Sequence, residues 1–203
     1  RIIIEMFPIA LMMSTPLIIA ALGGLFSERS GVFNIALEGI MMVGAFAAAS
    51  VAVVLEPSTR AAGYLGILVA TAAGLVFSLL HAFASVNLKA DQTISGTALN
   101  IMAGGLTVYL CQIFFNQQRT RSFNIGIQKV EIPLLSDIPV IGPMLFKNAY
   151  PTFYLALFLV FLSWFVIYRT PFGLRLRACG EHPQAAASMG VNVAAIRYAG
   201  VLI

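Results

Sequence analysis

The chain has 203 residues, of which 60% are hydrophobic and only 10% charged, with a formal net charge of +4. A soluble domain carries about a quarter charged residues, so this composition excludes one and indicates an integral membrane protein. The charge is modest and spread along the chain, which argues against a nucleic-acid partner and for ordinary membrane orientation.

The first apolar run, Phe7 to Phe26, is about long enough to span a bilayer, with Pro8 and Pro16 inside it and Gly23-Gly24 near its end. The flanks do not fit a signal peptide. The polar break SERSGVFN follows, then a second span from Ile35 to Leu55. Asn34 is placed to cap that span. Glu38 lies one turn in, on the same face. A carboxylate there either lines a gate or only stabilises a helix start near the interface.

A short turn with Pro57 leads to a third span, Tyr64 to Ser85. Gly66, Ala70, Gly74, Ser78 and Ala82 recur at every fourth position, the pattern that lets two helices approach closely. His81 adjoins this face and reads as a hydrogen-bonded packing residue, because no second His or Cys stands at ligand spacing. The fourth span, Gln92 to Phe115, is the least apolar. Gln92, Gly96, Asn100, Gly104 and Thr107 share one of its faces. Such an uncharged polar stripe suits a path for a neutral, hydrogen-bonding solute, and also suits close packing with interhelical hydrogen bonds; the path is the preferred reading.

Asn116 to Asn148 is the longest polar connection and is broken by Pro133, Pro139 and Pro143. The fifth span, Tyr150 to Tyr168, concentrates aromatic residues toward its ends. Arg169 to Gly190 is a basic insert between apolar segments. Pro183 can open a short helix over Gln184 to Met189, and Gly190 can close it in a left-handed cap. The insert either docks on something or merely fixes orientation. A sixth span starts near Val191. The chain lacks an initiator Met and ends in this apolar run, so it reads as a single transmembrane domain, 1–203, truncated in its sixth span. Alternating spans put six basic residues on each side. Their density in Arg169 to Arg177 favours the cytoplasm for the insert. Cys111 and Cys179 then lie on opposite sides and do not pair.

Four blocks carry a resemblance: SERSGVFNIALEG (27–39), ADQTISGTALN (90–100), IPLLSDIPVIGP (132–143) and YRTPFGLRLRACGEHPQAAASMGVN (168–192). Together they resemble the simple-sugar and nucleoside permeases of bacterial ABC transporters, relatives of the branched-chain amino acid and ribose permeases, and within these the nucleoside (guanosine or purine-nucleoside) importers. The resemblance implies an all-α, polytopic membrane helical bundle of the type II ABC importer kind in the bacterial cytoplasmic (inner) membrane. It implies a second permease subunit, identical or homologous, an extracytoplasmic substrate-binding protein, and a cytoplasmic ATPase that binds the ATP and magnesium. The chain itself needs no cofactor, metal or catalytic residue. Within the insert, Arg175, Arg177, Gly180, Glu181, His182, Pro183, Ala185, Ala186 and Gly190 match the segment that docks into the ATPase. Asn34, Glu38, Gln92, Gly96, Asn100 and Thr107 would line the path of a nucleoside or sugar. A simple sugar or branched-chain amino acid is the alternative solute. An ion-coupled secondary transporter is the alternative class, and it lacks the mid-membrane charge relay it would need.

Overall fold

The computed structural model describes residues 2–56, 59, 61–122 and 150–203, and every regular element among them is helical. In chain order these are α1 (Ile2–Arg29), α2 (Leu37–Leu55), α3 (Ala62–Ala82, prolonged by a π-helical turn Phe83–Asn87), α4 (Gln92–Phe115), α5 (Pro151–Arg169), α6 (Pro171–Glu181), α7 (Pro183–Ser188) and α8 (Val193–Leu202). The first five are long and apolar enough to cross a membrane. The five spans therefore lie where hydropathy places them. The proline-broken part of the long connection, with the block at 132–143, lies outside the described residues.

Cα proximity divides the chain into two compact units, Arg1–Leu22 with Ile127–Phe165 and Gly23–Gly126 with Val166–Ile203. In the first, Ser14 and Thr15 donate their hydroxyls to the carbonyls of Ala10 and Leu11, each at 2.8 Å, just before Pro16. This keeps the hydroxyls inside the helix's own ladder next to the position where proline lacks an N–H. On α5, the Phe153 and Tyr154 rings meet edge-on at 5.7 Å.

The second unit is organised by the α2–α3 pair. A Cβ added at Gly66 would stand 3.0 Å from the Ala48 carbonyl, one at Gly44 would lie 3.6 Å from the Ala70 carbonyl, and one at Gly74 would lie 3.4 Å from Ile40 Cγ2. Each four-residue step up α3 matches a four-residue step down α2, so the predicted small-residue face is an antiparallel helix contact. Lipid tails are as apolar as leucine, so close packing and hydrogen bonds hold such helices together. Large side chains such as Leu68, Val76 and Ile101 accordingly point outward. One cluster joins Ala36, just ahead of α2, to Phe77 of α3 and Leu99 and Ala103 of α4. A second joins Phe26, Ile167 and Leu176, and a third Val32, Ala82 and Val201.

The structure adds one helix that was not anticipated. The insert was expected to hold a single short helix, but α6 precedes it. Thr170 opens α6: its side chain accepts from Gly173 N at 3.2 Å, and Pro171 takes the first helical position. The short helix α7 runs Pro183–Ser188 and closes at Gly190, whose φ is +81°. Gly190 N donates to Ala187 O at 2.9 Å and Val191 N to Ala186 O at 3.1 Å, the paired bonds of a Schellman ending.

Candidate functional site

Between α1 and α2 the chain leaves the helical conformation for a few residues at the level of the α4 start. The C-terminus of α1 is closed by Gly31 at φ +85°, with Gly31 N bonded to Glu28 O (3.0 Å) and Val32 N to Ser27 O (3.2 Å). An irregular segment at the edge of an apolar bundle must have its backbone groups satisfied by protein, and here side chains do this. Ser27 Oγ donates to Val32 O at 2.8 Å. Phe33 N donates to Gln92 Oε1 at 2.7 Å, and Phe33 O sits 3.1 Å from His81 Nε2. Ile35 O accepts from Asn100 Nδ2 at 2.9 Å, while Gly39 N donates to Asn100 Oδ1 at 2.7 Å. Because a carbonyl only accepts, Nε2 of His81 carries the proton. The other ring nitrogen, Nδ1, lies 3.3 Å from Ser95 Oγ, which can donate to it or accept from it. His81 is thus the hydrogen-bonded packing residue expected from the sequence.

The predicted cap of α2 is corrected. The helix starts at Leu37 with Ala36 at the cap position and no side-chain bond from it. Asn34 Oδ1 instead accepts from Ala36 N at 3.1 Å, an Asx turn ahead of the helix. The reason lies in Asn100: it takes both the Ile35 carbonyl and the Gly39 N–H, the pair that a helix starting at Ile35 would join, so the first helical bond is Ile40 N to Ala36 O. Asn34 and Glu38 therefore do not share a helix face. Glu38 stays exposed in the first turn of α2, where the helix dipole favours a carboxylate.

Gln92, Gly96 and Asn100 converge on this break. A Cβ at Gly96 would stand 2.8 Å from Ile35 Cβ and 3.1 Å from Ala36 N, so only glycine admits the segment there. Thr107 lies apart. It is buried two turns further along α4, and its hydroxyl donates within that helix to Ala103 O (2.8 Å) and Gly104 O (3.1 Å). The amides on the α4 stripe are thus engaged with the neighbouring segment. His81 and Phe33 belong to the cluster and were not expected in it. Phe33 carried no signal beyond its place in a short non-periodic stretch, and its ring is exposed.

The insert contributes a second set of groups. Arg175, Glu181, His182, Ala185 and Gly190 are exposed, whereas Ala186 is buried and Gly180 packs inward. Arg177 lays its guanidinium 5.2 Å from the centroid of the Tyr168 ring. Met189, 83% exposed, extends the outer face of α7. A cleft lined by Leu25, Glu28, Arg29, Arg177, Gly180 and Glu181 joins this set to the end of α1. Cys179 is fully buried beside it, and burial pushes its thiol pKa up more than the Arg197 charge pulls it down. Both cysteines are free.

A family model described as the permease component of branched-chain amino acid transport systems matches residues 7–203. The chain belongs to this permease family. It is 47% identical to the guanosine ABC transporter permease protein NupQ of Bacillus subtilis, over 97% of this chain and 62% of that protein. It is also 47% identical to the nucleoside ABC transporter permease protein NupC of Lactococcus lactis, over 95% of this chain and 61% of the relative. A putative glucose ABC transporter permease protein of Haloferax volcanii is 37% identical over 94% of this chain and 56% of its own length. The permease chain thus spans about three fifths of the length of the curated relatives it matches. No solved structure matches it. As a family member with five apolar spans among its described residues, the permease is a multi-pass membrane protein.

Proposed function

We propose that the permease is the membrane subunit of an ATP-driven importer of nucleosides in the bacterial cytoplasmic membrane. The observation that carries the solute class is the 47% identity to permeases named for guanosine and for nucleosides over nearly the whole chain. In this reading the permease performs no covalent chemistry. It alternates between two packings, and a separate ATPase, which binds ATP and magnesium, biases that equilibrium. A second permease subunit completes the path, and an extracytoplasmic binding protein supplies the solute. The insert faces the cytoplasm, and the exposed face of α6–α7, with Arg175, Glu181, His182 and Ala185, meets the ATPase.

The path runs past the break between α1 and α2. Asn34 and Glu38 face it directly. Gln92, Gly96 and Asn100 act on it by holding the Phe33–Gly39 backbone in place, and Thr107 borders it further along α4. A neutral, hydrogen-bonding nucleoside matches weak uncharged contacts, which allow fast release. The deciding experiment is uptake of labelled guanosine, uridine, glucose and leucine in cells with and without the gene, with ATP depleted or the proton gradient collapsed separately. Nucleoside uptake that needs the gene and ATP, and survives loss of the gradient, supports the reading. Glucose or leucine uptake alone reassigns the solute, and uptake that follows the gradient overturns ATP coupling.

A further inference from the structure

The insert and the end of α1 meet backbone to backbone. A Cβ at Gly31 would stand 3.2 Å from the Gly180 Cα in α6. A Cβ at Gly180 would lie 2.5 Å from the Arg29 carbonyl oxygen and 3.3 Å from Gly31 N. On α8, a Cβ at Gly200 would meet Ser30 Cβ at 2.6 Å, Ser30 Oγ at 2.9 Å and the Phe26 carbonyl at 3.0 Å. Ser27 and Ser30 are fully buried beneath these contacts, and so are Leu176 and Cys179 of α6. Close-packed atoms of this kind transmit displacement because no flexible side chain lies between them to absorb it. The residues that follow Gly31 are those whose backbone is held by Gln92, His81 and Asn100.

We propose that Gly180 is a positioning residue that passes the movement of the docking segment to the Gly31–Ala36 break, with Gly200 as a second grip on the same turn. The stroke then enters the bundle at the end of α1 and reaches α3 and α4 through Phe33 and Ile35. This rests on the reading of α6–α7 as the ATPase-facing segment. It adds the place where the force is delivered.

The test uses the assembled importer in proteoliposomes, with two readouts. The first is ATP hydrolysed per nucleoside moved. Gly180→Ala raises that ratio at least fivefold, and Gly200→Ala does the same. Ser30→Gly brings the Gly200→Ala ratio part of the way back, because it removes the two closest obstacles and leaves only the Phe26 carbonyl at 3.0 Å. It leaves Gly180→Ala unimproved, because the obstacle there is backbone. A merely structural role lowers uptake and hydrolysis together and leaves the ratio in place. The second readout needs no transport: the labelling rate of Phe33→Cys by a membrane-impermeant maleimide changes at least threefold when Gly180→Ala is added. An unchanged ratio with unchanged labelling overturns the proposal, as does loss of ATPase binding with unchanged labelling. If the unmutated importer moves no nucleoside with ATP, the functional reading fails, and the labelling arm still decides whether Gly180 controls the break.

Discussion

Asn100 shows how much of the site rests on one side chain. Its amide satisfies a carbonyl and an N–H on either side of the α2 start. Asn100→Leu leaves both without a partner, and each such group costs about 1–3 kcal/mol. The expected outcome is a lower melting temperature in detergent together with lower uptake. Asn100→Leu protein with unchanged melting would show that another group takes over the two bonds. Cys179 offers a pH-dependent check. With its thiol held above the ordinary range by burial, the reactive thiolate is scarcer at any given pH than for a free cysteine. Buried and with its thiolate disfavoured, Cys179 is labelled by maleimide more slowly in the folded protein than a peptide thiol at pH 8, and unfolding removes the difference. In stability terms the sign is the same. The neutral thiol's contribution is complete below the unfolded pKa of 9.0 and is lost as pH rises through the raised folded value. Labelling of folded protein at the peptide rate would contradict the buried placement.

At the scale of elements, the corner between α5 and α6 depends on a glycine. A Cβ at Gly173 would lie 2.3 Å from the carbonyl oxygens of both Val166 and Ile167. Those are backbone atoms, so the corner itself must open. Gly173→Ala is expected to destabilise by about 1–3 kcal/mol or more, seen as loss of folded protein in a detergent melting series. An unaltered melt would mean that the corner has freedom not evident from its packing. The same corner marks where sequence reading stopped short. The spans were legible because runs of apolar residues of bilayer length have few other uses, and the α3 stripe was legible because small residues repeat at helical spacing. The helix α6 was missed because RTPFGLRLRACGE is polar overall and its Leu174–Arg177 stretch alternates apolar and basic residues. Its local signals are Thr170-Pro171, a capping residue followed by a first-turn proline, and Phe172, Leu176 and Cys179 at helical spacing. The break was harder still. Polar side chains on α3 and α4 define it by reaching residues about 50 to 65 positions away, and no local pattern encodes such pairs. Asn100 was legible as important, but its partners were not.

For the molecule as a whole, the functional reading ties the outer face of α6–α7 to the ATPase. Glu181 and Ala185 are both exposed there, while Ala186 turns inward. Glu181→Arg with Ala185→Trp reverses a charge and adds bulk on that face without entering the packed side. The double variant is expected to reach the membrane in normal amount, to lose ATPase copurification and to abolish uptake. Normal ATP-driven uptake by it would remove the assigned role. The hold on Phe33 has one more consequence, for how this protein tolerates change over evolutionary time. At Phe33 and Ile35, Gln92, His81 and Asn100 grip backbone atoms alone and are blind to the side chain, whereas at Gly39 a Cβ would lie 2.9 Å from the gripping Asn100 Oδ1. Phe33 and Ile35, whose side chains are exposed, are free to vary in type. Proline at 33 is the exception, since it lacks the N–H that Gln92 takes. The length of the segment has no such freedom. Losing or gaining one residue between Gly31 and Leu37 would move every gripped atom out of reach at once, so variation here is confined to substitution.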